Sequence, residues 1–84
     1  TCHGHWVSDC SAAMENLLLA AHAVGLGSVW VAIHPSEQRI ADIRSLLGLP
    51  SFVAPLCLAA VGHPAGPLPK VDRFNPERIH RNAW

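Results

Sequence analysis

The stretch from Ser8 to Val24 constrains this chain more than any other. Ser8 is a good N-cap residue, and Asp9 then falls in the first turn, where the helix dipole favours an anion. Trp6, Cys10, Met14, Leu17, Leu18, Ala21 and Val24 recur at the spacing of one apolar helix face. Gly25 followed by Leu26 spells a Schellman stop, with glycine at C′ and an apolar residue behind it. The other face is hardly less apolar. Beyond Met14 its only polar residues are Glu15, Asn16 and His22, set among Leu19, Ala20 and Ala23. A helix that is apolar nearly all round belongs inside a core, and Asn16 is expected to satisfy a buried partner there.

The rest of the chain offers little to build that core. Ser28 to Ile33 (SVWVAI) reads as a strand, and Leu56 to Val61 (LCLAAV) as another. Both are apolar on alternate residues of either parity, which predicts burial on both faces. Between them Ser36 caps a helix over about residues 37–47, with Glu37 in its first turn. Its single stripe is Ile40, Ile43, Leu46 and Leu47, while Gln38, Arg39, Asp42, Arg44 and Ser45 face water. Gly48, Leu49 and Pro50 stop it. From His63 to Trp84 the prolines at 64, 67, 69 and 76 exclude helix and central strand, so the tail runs extended. Phe74, Ile79 and Trp84 in that tail predict docking onto a surface. The order is helix (about 8–24), strand (about 28–33), helix (about 37–47), strand (about 56–61), tail (63–84). A strand–helix–strand order by itself suggests a right-handed parallel crossover. Two strands cannot cover a wholly apolar helix, because an independent sheet needs three or more strands or good cover. Charged residues make up only 14% of the 84, where about 25% is usual, which again predicts that other structure covers part of this surface.

Charge and cysteines narrow the function classes. Net charge is zero with neutral histidines and no basic block exists, so non-specific nucleic-acid binding is excluded. No apolar run approaches the ~18 residues of a membrane span. Three cysteines, Cys2, Cys10 and Cys57, rule out a fully paired disulfide framework and predict a reduced, cytoplasmic setting. Cys2, His3, His5 and Cys10 have zinc-binding side chains, but their spacing matches no paired CxxC or HxxxH form, so no metal site is expected. Cys57, between Leu56 and Leu58, reads as a small buried hydrophobe. A nucleophilic pair of Cys57 with His22 or His63 has no motif behind it.

An ordered set of strings then becomes specific. WVSDCSAAMENLLLAAHAVGLGSVW is followed by IHPSEQRIADIRSLLGLP, PLCLAAVGHPAGPLPKVDRF and IHRNAW. Together they resemble the C-terminal half of the FMN-dependent nitroreductase family, from about Trp6 to Trp84. The resemblance implies an α+β fold with a mixed, largely antiparallel sheet. It implies a homodimer with FMN at the subunit interface and a C-terminal tail reaching across the partner. It implies NAD(P)H as electron donor and a nitroaromatic or quinone-like small molecule as acceptor, in a ping-pong cycle.

The same resemblance assigns residues. Trp30, Val31, Ala32 and Ile33 match the segment whose backbone borders the flavin, with the amide of Ala32 or Ile33 as donor to N5. Lys70 and Arg73 match the basic residues that clamp the FMN phosphate, Arg73 with the better spacing. No side chain is implied as catalytic acid or base, since flavin N5 carries the chemistry. The family's Arg/Ser-rich phosphate segment lies in its first half and is not among these residues. Two readings follow: a fragment of a flavin oxidoreductase, or a non-catalytic remnant or dimerisation module without the cofactor-binding half.

Overall fold

A computed structural model describes residues 4–84; Cys2 and His3 of the zinc question lie outside them. The first helix, α1, spans Trp6–Ala23. It begins before Ser8. The Asp9 amide already donates to the His5 carbonyl (3.0 Å), so His5 is the N-cap and makes no side-chain cap bond. Ser8 therefore lies within the first turn, together with Asp9. The stop follows the Schellman pattern bond for bond. The Leu26 amide donates to Ala21 O (2.8 Å), the Gly25 amide donates to His22 O (3.1 Å), and Gly25 takes φ +84.

Strands β1 (Gly27–Ala32) and β2 (Cys57–Gly62) form a two-stranded antiparallel sheet, with Gly27 opposite Gly62 and Ala32 opposite Cys57. This is the antiparallel pairing that the family resemblance implies, in place of the parallel crossover that element order alone suggests. A crossover helix must pack on a sheet face, and helix α2 (Glu37–Leu47) packs on neither strand. It stands off the end of β1, so the chain returns alongside its outgoing strand. Two guanidinium groups tie α2 down instead: Arg39 Nη1 donates to Ala32 O at the end of β1, and Arg44 Nη2 to Val53 O in the loop before β2, each at 2.9 Å. Arg39 stays exposed as the periodicity predicts, whereas Arg44 is half-buried. The caps of α2 are those the sequence indicates. Ser36 Oγ accepts from the Arg39 amide (3.3 Å), and Gly48 is left-handed at φ +65.

Helix α1 covers one face of the sheet. Trp30, Cys57 and Ala59 on that side are half-buried. The opposite face carries Val29, Val31, Leu58 and Ala60, all exposed. The expected burial on both faces is therefore not met within these residues, because nothing here lies against the second face. Among the described residues only Ala21 and Ile33 are buried hydrophobics. Asn16 is exposed, with no buried partner. Leu46 and Leu47 of α2 also point to solvent.

Beyond β2 the chain is exposed to its end, apart from a 3₁₀ turn at Pro76–Arg78 capped by the Asn75 side chain. The accessible surface is 7265 Å², against about 4,900 Å² for a compact protein of this mass. The radius of gyration is 16.9 Å, against about 12 Å for a compact chain of this length. No helix among the described residues is long and apolar enough to cross a membrane.

Candidate functional site

The hydrogen-bond parity of the sheet decides what β1 can offer a ligand. In an antiparallel pair, residues alternate between exchanging both backbone bonds and pointing both groups away. The Ile33 amide donates to Leu56 O (3.1 Å). Counting back by two, Val31, Val29 and Gly27 also bond to β2, whereas Ala32, Trp30 and Ser28 direct their N–H and C=O groups off the open edge of β1. The two donors weighed from the sequence are thereby separated. The Ile33 amide is engaged, and its side chain is buried at 4% exposure. The Ala32 amide faces outward from an exposed residue.

The neighbouring groups define this edge further. Trp30 is half-buried on the α1 side and presents its amide on the same edge as Ala32. Val31 bonds within the ladder and leaves its side chain on the uncovered face. His34, at the end of β1, meets the Trp6 ring edge-on with centroids 5.0 Å apart, which ties the start of α1 to the end of the strand. Arg39, which sequence reasoning missed, anchors the Ala32 carbonyl. No periodicity in α2 reveals that contact, since it depends on how the 33–36 turn folds back.

Lys70 and Arg73 lie in the exposed tail. Neither makes a side-chain hydrogen bond or an ion pair among the described residues, so both cations are available to an anion. A cleft of about 550 Å³ at the other end of the sheet is lined by Gly27, Ser28, Val29 and the turn after His63, and none of the six predicted site residues lines it.

The remaining reactive groups form no second site. Cys10 is exposed and free, and Cys57 is half-buried. Burial pushes the Cys57 thiol up, and the nearby Cys10 adds to the shift. Because burial disfavours the thiolate, the fold loses stability as pH rises above the ordinary thiol range towards the raised value. Cys10, the exposed thiol, is the more accessible of the two to electrophiles. No group of three or more potential metal ligands exists among the described residues.

The open β1 edge is compatible with a flavin. Outward backbone donors at Trp30 and Ala32 suit ring heteroatoms, and two unpaired cations suit a phosphate. Ile33 does not fit the role of donor.

Comparison with known proteins gives this geometry its context. The Nitroreductase family model matches residues 6–63. A protein of Archaeoglobus fulgidus, provisionally named an NADH dehydrogenase/NAD(P)H nitroreductase, is 46% identical over 82 residues, covering 94% of this chain and 47% of that protein. The crystal structure of a Parabacteroides distasonis protein with the same provisional name superposes with a TM-score of 0.90 at 43% identity, over 96% of this chain and 48% of that one. An FMN-dependent nitroreductase of Clostridium difficile shares the fold, with a TM-score of 0.84 at 24% identity over 94% of this chain and 50% of that one. The chain spans about half the length of the curated relatives it matches. The fold is α+β, the partial sheet and its helices having their counterparts within the larger domain of these structures. With well over half of its residues matched in order, from Trp6 at the head of α1 to His63 beyond β2, this chain belongs to the nitroreductase family.

Proposed function

We propose that these residues form the C-terminal part of an FMN-dependent NAD(P)H oxidoreductase of nitroreductase type. NAD(P)H donates, a nitroaromatic or quinone-like small molecule accepts, and the two substrates react in turn in a ping-pong cycle. Family membership supports the oxidoreductase class, and the names of the relatives support NAD(P)H as donor. The shared fold with an FMN-dependent protein is consistent with the cofactor. The observation that carries the reading to this chain is the outward amide of Ala32 on an edge with no strand beside it among the described residues.

FMN, when bound, supplies hydride acceptance and return at its N5 atom. The chain's own residues bind and orient. The Ala32 amide is the donor aimed at the ring, and Trp30, Val31 and Ile33 shape the strand that carries it. Arg73 and Lys70 hold phosphate oxygens, Arg73 through a two-pronged guanidinium. The surface left uncovered here supports a homodimer, with the tail of residues 63–84 packing on the partner subunit. The odd cysteine count and the free thiols of Cys10 and Cys57 support a cytoplasmic setting.

The test is a two-stage stopped-flow experiment on the full-length protein that contains this segment. NAD(P)H alone should bleach the flavin absorbance, and a quinone added afterwards should restore it. Ala32→Pro should impair flavin binding or its reduction. The Ala32 amide is not in the ladder, so proline there removes an outward donor and no strand–strand bond. A protein whose bound flavin NAD(P)H does not reduce would contradict the proposal and favour a non-catalytic remnant.

A further inference from the structure

Arg39 stands on the first turn of α2 and reaches back seven residues to the end of β1. Its Nη1 donates to the Ala32 carbonyl at 2.9 Å, the only hydrogen bond its guanidinium makes among the described residues. That carbonyl belongs to the same peptide unit as the Ile33 amide, which donates to Leu56 O at 3.1 Å. The peptide plane after Ala32 is thus held at both ends, by α2 on one side and by the residue preceding β2 on the other. The plane before Ala32 is held by the ladder position of Val31 opposite Leu58. Both torsions at Ala32 are fixed as a result, at a strand end that would otherwise fray. Because Ala32 is a residue with both backbone groups pointing outward, its N–H and C=O share one edge. The guanidinium charge therefore sits on the edge where the Ala32 amide is presented.

We propose that Arg39 is a positioning residue for the flavin: it locks the outward amide of Ala32 in place and fixes a positive charge on the strand edge that receives the ring. The inference rests on the FMN reading above. Two effects follow, and they separate experimentally. Loss of the bond loosens the donor and weakens flavin binding. Loss of the charge removes stabilisation from the electron-rich reduced flavin and lowers the midpoint potential.

The experiment uses the full-length protein with Arg39→Met, which keeps an apolar stem but no donor and no charge, and Arg39→Gln, which keeps a donor without charge. FMN affinity is read by fluorescence titration, midpoint potential by dye-equilibrated reduction, and apo-protein stability by thermal unfolding. Arg39→Met should weaken FMN binding about three- to tenfold and lower the midpoint potential, with little change in the unfolding of the apo-protein. Arg39→Gln should recover much of the affinity and leave the potential lowered. A potential unchanged in Arg39→Gln would overturn the charge role even if Arg39→Met fails to fold. Affinity and potential both unchanged in Arg39→Met would overturn the inference while leaving the FMN reading intact. Wild-type protein that binds no FMN would overturn the reading and the inference together.

Discussion

Arg73→Ala in the full-length protein weakens FMN affinity by about 1.5–3 kcal/mol, roughly ten- to over a hundredfold. The expectation comes from chemistry and from exposure. A phosphate oxygen pair suits the planar fork of a guanidinium, and the Arg73 side chain has no competing partner among the described residues. Asp72, next to it, does not take that role: its Oδ1 accepts from the Phe74 amide at 3.0 Å and so caps a local turn. Lys70→Ala should cost less, since a flexible ammonium offers a point charge and no bidentate geometry. Fluorescence titration of the two variants beside wild type checks the ranking. Equal affinity of wild type and Arg73→Ala would remove Arg73 from the site.

The 84-residue chain by itself should not form a stable compact monomer. Its surface exceeds that of a compact protein of the same mass by about 2,400 Å², as much as an obligate interface removes. The excess is not spread evenly. Val29, Val31 and Leu58 form one uncovered sheet face, Leu46 and Leu47 one helix ridge, and Phe74, Ile79 and Trp84 the tail. Apolar patches of this kind are covered in a stable state, by the rest of the domain or by a partner subunit. Sedimentation of the isolated chain should show dimers or larger aggregates, and its thermal melt should be broad. A monomer with a sharp transition at micromolar concentration would contradict this.

The sequence made some of this structure legible, and the division has physical causes. Local grammar was readable because its determinants are adjacent residues. Gly25–Leu26 spelled the Schellman stop, and Ser36 and Gly48 marked the ends of α2. The start of α1 was misread because Ser8 is a better cap by type than His5, yet the backbone ladder had already begun at His5. Strand direction was legible only through the family resemblance, since it depends on what the connecting helix packs against and nothing in residues 33–56 announces that α2 stands clear of the sheet. The choice between the Ala32 and Ile33 amides depended on register, which alternates with a single-residue step and leaves no trace in two strands with apolar residues on both faces. The reach of Arg39 to Ala32 crosses a turn and lies outside any helical periodicity. The incompleteness of the core was legible from the start, since a helix apolar all round and only two strands cannot enclose one another.

The central claim is that these residues supply one part of a flavin site whose remainder lies elsewhere in the protein. Flavin fluorescence titration of the full-length protein beside the isolated chain tests it most directly. The account predicts stoichiometric quenching of FMN by the full-length protein and weak or no quenching by the 84 residues alone. Tight, stoichiometric binding by the isolated chain, or none by the full-length protein, would contradict it.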